Sequence, residues 1–132
     1  MTLTKPLVKP DTSKKWLEDN KLILMQNRYK WHIPTGKVEF SDSWFESLGY
    51  KPNELPHHFD TWKSLVHPED MPEVWKVLES CLDGRADKFR AINRLKMKDG
   101  SYRWNLDHGR VTERDRKGNP VFMVGLDIPI AS

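Results

Sequence analysis

Histidines, one cysteine, an acidic pair and six tryptophans are the residues whose chemistry could exceed packing. His57 and His58 stand in a polar loop, His67 opens the run His67-Pro68-Glu69-Asp70, and His108 falls near a strand end. A metal centre would need ligand pairs at helical or knuckle spacing, and His57, His58 and His67 do not supply one. There is no Gly-x-Ser-x-Gly elbow, no phosphate-binding glycine loop and no His-Glu-x-x-His, so no catalytic residue is assigned. Glu69 and Asp70 suit a helix start, where a carboxylate caps amides and meets the positive end of the dipole. A second expectation pairs either acid with Lys98 or Arg94. Cys81 falls on the apolar face of a helix, where a thiol acts as a small hydrophobe.

The tryptophans read two ways, as packing or as an aromatic-lined pocket for a planar ligand. Trp44, Trp62 and Trp75 fit buried helix faces and are explained by packing first. Trp31 and Trp104 lie on strands and could face a concave side. Phe89, Ala91, Asn93 and Leu95 share one strand face by period two. Asn93 is the polar member of that set, and a buried amide needs a partner, either ligand or water. The candidate pocket takes Tyr29, Trp31 and Met123 from strands and Trp62, Val74, Trp75 and Leu78 from helices. A C-terminal hairpin adds Phe89, Ala91, Asn93, Trp104 and Leu106.

These residues need elements to hold them. Asp11-Thr12-Ser13 offers caps for a helix over 14–25, with Trp16, Asn20, Ile23 and Leu24 near one face; residues 1–13 read as a flexible lead-in. Arg28 to Ile33 and Lys37 to Phe40 alternate with period two around Pro34-Thr35-Gly36, a first hairpin. Ser41 caps a short helix carrying Trp44, Phe45 and Leu48, closed by Gly49. Pro52 to Leu55 starts another brief helical turn, and Asp60 caps a third carrying Trp62 and Leu65. The longest helix repeats Met71, Val74, Trp75, Leu78, Cys81 and Leu82. Asp70 and Glu73 form a capping-box analogue at its start and Gly84 ends it. Lys98-Asp99-Gly100-Ser101 then predicts a type I′ hairpin turn, and Gly118-Asn119-Pro120 leads into a strand over 121–128. Five strands with helices gathered mid-chain imply an α+β fold, an antiparallel sheet covered on one face.

The bounds agree. A chain of 132 residues is one domain and buries roughly two-thirds of its unfolded surface. Its net charge of +3 comes from basic residues interleaved with 19 acids, so no nucleic-acid stripe forms. The longest aliphatic run, Leu22 to Met25, is too short to span a bilayer. The N-terminus lacks an apolar core with a cleavage site, and a lone cysteine fits a cytoplasmic setting.

The ordered residues resemble the PAS family, the sensory-box domains with a PAC-type C-terminal half. They are Trp31, Thr35-Gly36, Ser41, Leu48-Gly49-Tyr50, Glu54-Leu55, Trp62 and Leu65-Val66-His67-Pro68-Glu69-Asp70. In the second half come Arg94, Lys98-Asp99-Gly100-Ser101-Tyr102-Arg103-Trp104, Gly109, Arg114-Asp115, Gly118, Pro120, Val124-Gly125 and Asp127-Ile128. The likeness covers about residues 26–128, leaving 129–132 as a tail.

The resemblance implies a five-stranded sheet cupping a pocket for haem, flavin, a small metabolite or nothing. It also implies a regulatory role in histidine kinases, diguanylate cyclases, phosphodiesterases or transcription factors. Homodimerisation through the N-terminal helix and outer sheet face goes with it, as does an effector domain in a parent chain. His67, Pro68, Glu69, Asp70, Lys98, Asp99 and Gly100 are then structural motif residues. Three departures matter. Ile92 stands where many relatives are acidic, Asn93 where an aromatic is frequent, and Pro129 replaces a threonine and a charged helix. The segment is accordingly expected to carry no output helix or effector. A flavin-adduct sensor would need a cysteine between the short helices, and 57–66 has none. Haem-binding relatives tend to place their histidine in the long helix or just after it, and none of the four falls there. The ligand stays unassigned at this point, with a small metabolite among the candidates. The alternative is a ligand-free dimerisation or protein-interaction module.

Overall fold

The computed structural model describes residues 13–19 and 27–130. The lead-in before Ser13 and the expected helical face of Asn20, Ile23 and Leu24 lie outside the described residues. Helix α1 covers Lys14–Asp19; the placement of Trp16 on that face is likewise outside what is described. Strands β1 (Arg28–His32) and β2 (Lys37–Phe40) form the first hairpin. Helices α2 (Asp42–Ser47), α3 (Phe59–Leu65) and α4 (Met71–Leu82) follow. Strands β3 (Phe89–Lys96), β4 (Tyr102–Arg114) and β5 (Pro120–Pro129) complete the sheet. Its order is β2-β1-β5-β4-β3, antiparallel throughout. The fold is α+β with the helices gathered over one face.

That face holds the main core. Trp44, Phe45, Leu48 and Leu95 are fully buried, and Val74, Leu78, Cys81, Phe89 and Met123 nearly so. Burying a side chain of this size contributes roughly 1.5–3 kcal/mol. The Phe40 and Trp44 rings stack at 3.9 Å and Phe45 meets Trp44 edge-on at 5.2 Å, fixing α2 against β2. A second cluster of Leu106, Ile128 and Ile130, with Ile92, Trp104 and Leu126, occupies the opposite sheet face. No helix among the described residues is long and apolar enough to cross a membrane.

Local chemistry departs from expectation in five places. Ser41 occupies the N-cap position of α2, but its side chain makes no capping hydrogen bond. Residues 51–54 form a turn rather than a helix, with the Glu54 N–H donating to the Lys51 carbonyl at 3.0 Å. His58, not Asp60, caps α3: its Nδ1 accepts the Asp60 N–H at 3.0 Å. Asp70 precedes α4 without capping it, because its carboxylate is drawn to Arg94. The second hairpin does not use a type I′ turn. Gly100 has φ +91°, but Asp99 does not have positive φ. The Gly100 N–H donates to the Met97 carbonyl at 3.0 Å, a turn followed by a left-handed glycine. Asp99 is held instead by its carboxylate, which accepts the Ser101 N–H at 2.9 Å and hydroxyl at 2.6 Å.

Candidate functional site: a buried acid pair beside an aromatic cavity

Register decides which side chains meet under the helices, because directly opposed residues of antiparallel strands share a face. Asn93 faces Asn105 across β3 and β4, Asp107 faces Asp127 across β4 and β5, and Tyr29 on β1 faces Gly125. These residues lie on the helix-covered face and form a polar seam across four strands. Asn93 and Asn105 are fully buried, Asp127 is 1% exposed and Asp107 2%.

Two glycines make the seam possible. A Cβ at Gly125 would strike the Tyr29 ring, and one at Gly109 would meet its hydroxyl and the Val124 carbonyl. The Tyr29 ring lies in the slot they leave, and its hydroxyl donates to Asp107 Oδ1 at 2.8 Å. Asp127 accepts from Trp44 Nε1 at 2.7 Å and from Asn105 Nδ2 at 2.9 Å. The two carboxyls lie opposite each other across β4 and β5, where each affects the ionisation of the other.

Burial, then the Asp127 charge, holds the Asp107 carboxyl well above the usual aspartate range. Asp127 is also raised by burial, with the donors Trp44, Asn105 and Asp107 opposing. The protons belong to the pair rather than to either residue. Because Asp127 accepts two N–H groups, Asp107 is the better resting place for a shared proton. Tyr29 is pushed up by burial of its hydroxyl end and by the two neighbouring carboxyls.

The pair forms one wall of a cavity of about 30 Å³, also lined by Tyr29, Trp31, Val38, Phe40, Phe59, Trp62, Leu78 and Met123. Trp31 and Phe59 stack at 4.5 Å, and Phe59 meets Trp62 at 5.4 Å. Such a space takes one or two water-sized groups. It is about a tenth of the roughly 300 Å³ at which drug-sized pockets begin. The indole N–H groups of Trp31 and Trp62, both Asn93 amide atoms and Asn105 Oδ1 are buried without partners among the described residues.

A family model described as the PAS fold matches residues 37–126. The chain belongs to the PAS family. Among curated proteins none matches. Solved PAS structures agree in fold. A sensory box histidine kinase/response regulator from Burkholderia thailandensis E264 aligns with TM-score 0.72 at 23% identity, over 87% of this chain and 84% of that one. The N-terminal domain of a diguanylate cyclase with PAS/PAC sensor from Marinobacter aquaeolei gives 0.68 at 23%, over 79% and 94%. The light state of the blue-light photoreceptor Aureochrome1 LOV gives 0.63 at 19%, over 85% and 88%.

Within this PAS fold, the cavity gathers five of the residues expected there: Tyr29, Trp31, Trp62, Leu78 and Met123. Val74, Phe89 and Ala91 are in the core but do not line it, and Asn93, opposite Asn105 on the helix-covered face, does not line it either. Three placements are corrected. Trp75 is 40% exposed, because it sits one helical step round from Val74; it packs on Phe59 and under Lys63. Trp104 and Leu106 lie on the outer face with Arg94 and Ile92, their register partners. The unforeseen lining residues are Val38, Phe40, Phe59, Asp107 and Asp127. Period two on β1 and β2 could have supplied Val38 and Phe40.

The PAS motif residues serve structure. Asp70 takes a forked contact from Arg94, Nε at 3.0 Å and Nη2 at 2.8 Å, plus the Arg94 N–H at 2.8 Å. Glu69 adds 3.3 Å to Arg94 Nη2. Burial works against ionised Asp70, but these bonds prevail and hold its carboxyl below the usual range. Lys98 reaches Glu54 at 2.9 Å rather than either helix-start acid. His67 Nδ1 accepts the Glu69 N–H at 3.0 Å, and His57 bridges Asn53 and the Phe40 N–H. Among the described residues no three His, Cys, Asp or Glu side chains gather as a metal site. Burial raises the Cys81 thiol, which favours its protonated form.

Proposed function

We propose that this PAS domain is the sensory and regulatory module of a signal-transduction protein of the histidine-kinase or diguanylate-cyclase type. It reads a small molecule at the internal cavity and passes the result through the sheet to a partner copy and an effector domain. The observation that carries the reading is the Tyr29–Asp107–Asp127 centre at the cavity wall. A core built only for packing gains nothing from two buried carboxyls, whose desolvation is costly. The pair spans β4 and β5 and ties to β1 through Tyr29 and to α2 through Trp44, so a change there reaches four elements. Ligand occupancy would shift the balance between arrangements the sheet already samples. The ligand class is compact, neither haem nor flavin, and a cytoplasmic setting goes with this role.

The small size of the cavity favours a second reading, a ligand-free module for dimerisation. Native mass spectrometry of the purified chain, with sedimentation, separates the two. Sensing predicts a bound or added small molecule that saturates one site per chain. A dimer that stays empty through a metabolite panel contradicts sensing and supports the scaffold.

A further inference from the structure

The pleat sorts charges that the sequence interleaves, because alternate strand residues go to opposite faces. β5 is the central strand of the sheet. On the outer face its Phe122, Val124 and Leu126 form a half-buried apolar stripe. Register sets Arg28 of β1 and His108 of β4 on either side of Leu126, and Lys30 and Arg110 on either side of Val124. Arg90 follows His108 on β3, and Lys37 of β2 lies across from His32. The acids of these rows are Glu39, opposite Lys30, and Glu113, opposite Phe122, so the cations are in surplus. Arg28, Lys30 and Arg110 are exposed and form no ion pair among the described residues. Burial, then the charges of Lys88 and Arg90, hold His108 below its ordinary value, and the last two are the mark of a positive surface.

We infer that this face binds an acidic amphipathic helix of a partner, its apolar side laid along β5 and its carboxylates reaching the basic residues of β1 and β4. The inference is independent of what the cavity holds. Spacing supports it. Neighbouring strands lie ~4.8 Å apart, so the flanks on β1 and β4 stand about 10 Å from each other, close to the diameter of a helix. A groove of about 500 Å³, lined in part by Arg28, Lys30, Val124 and Leu126, gives room on the β1 side.

Other occupants fit less well. A nucleic-acid backbone would meet cations at the flanks but would lay its phosphates across the apolar stripe. A second copy placed symmetrically over these rows would set the same cations against one another. Pairing of copies would instead use the apolar end of the sheet around Ile92 and Trp104. An acidic helix with an apolar stripe answers both the charge and the centre of the face.

Fluorescence anisotropy of labelled synthetic peptides on the full chain tests this. The probe carries leucine at i, i+3, i+4 and i+7 spacing with glutamate on the flanks. One control replaces its glutamates by lysine and another its leucines by serine. The expected result is saturable binding of the glutamate–leucine peptide at one per chain, with both controls at least tenfold weaker. Affinity should fall as salt rises from about 0.05 to about 0.5 M, and the Val124 and Leu126 methyl signals should shift on binding. Lys30→Glu with Arg110→Glu, both at exposed positions, should reverse the preference toward the lysine–leucine peptide. The wild-type salt dependence and methyl shifts do not depend on that variant folding. No binding, equal binding of the glutamate and lysine peptides, indifference to salt, or methyl signals that stay fixed overturns the assignment. So does a folded double variant that keeps the wild-type preference. Tighter binding of a single-stranded oligonucleotide overturns it in favour of nucleic acid, and self-association abolished by the double variant overturns it in favour of a second copy.

Discussion

Asp107 is the residue on which most depends, and its protonation has a thermodynamic signature. An unfolded aspartate titrates near ~3.9, whereas burial raises the folded group well above its usual range. A raised acid contributes stability that is complete below the unfolded value and is lost as pH rises toward the folded one. Between those limits the folded state keeps a proton that the unfolded chain has shed, so stability falls by up to about 1.4 kcal/mol per pH unit per proton. His108 works in the opposite sense: burial and the charges of Lys88 and Arg90 lower it, so its effect rises with pH near its unfolded value. Asp70 also opposes, but its loss falls at acid pH, below the ordinary aspartate range. Comparing wild type with Asp107→Asn cancels both. The expected outcome of denaturant melts from pH 5 to 8 is a downward slope in wild type that flattens in the variant. Parallel slopes would mean that the carboxyl is not protonated in the fold.

At the scale of elements, the slot for Tyr29 and the clamp on β3 make separate predictions. Gly125→Ala places a methyl against the Tyr29 ring and should cost about 1–3 kcal/mol by overpacking. Tyr29→Phe in the same background should recover only part of that cost, since the hydroxyl is the nearest clash but two ring carbons also lie within 3 Å. Arg94→Ala leaves the half-buried Asp70 carboxylate without its fork and should cost about 1.5–3 kcal/mol. Lys98→Ala, which loses a contact to Glu54, should lower the melting temperature much less, since side chains this exposed are well screened. Element order and strand number were legible in the sequence because Gly36, Gly49, Gly84, Gly100 and Gly118 punctuate it, each at positive φ. The acid pair was not, for a physical reason. On β4 the helix-covered face carries Asn105 and Asp107 while the outer face carries Trp104 and Leu106, all four at least half-buried. Side chains on both faces are buried, so alternation persists with its usual polarity inverted, and reading apolar as inward selects the wrong pair. Trp75 misleads differently: it repeats with the apolar stripe of α4 but lies one residue round from Val74.

For the whole molecule, the sheet separates two tasks. Its helix side encloses the cavity and its outer side carries Ile92, Trp104, Leu106, Leu126, Ile128 and Ile130. Pairing of two PAS copies through the N-terminal helix and this sheet face, which the family resemblance implies, should respond to Ile92→Lys, which puts a charge among apolar neighbours without touching the cavity. Sedimentation should show the equilibrium moved toward monomer by at least tenfold in Kd, with ligand response per chain intact; an unchanged dimer would place the interface elsewhere. The central claim is that the Tyr29–Asp107–Asp127 centre and its aromatic walls form a ligand site. A ¹⁵N–¹H spectrum of the side-chain N–H groups, recorded across a panel of small cationic, neutral and anionic compounds, tests it most directly. The account predicts that one class moves the Trp31 and Trp62 indole signals together with the Trp44 and Asn105 signals, saturably and at one ligand per chain. Signals that stay fixed through the whole panel would contradict it.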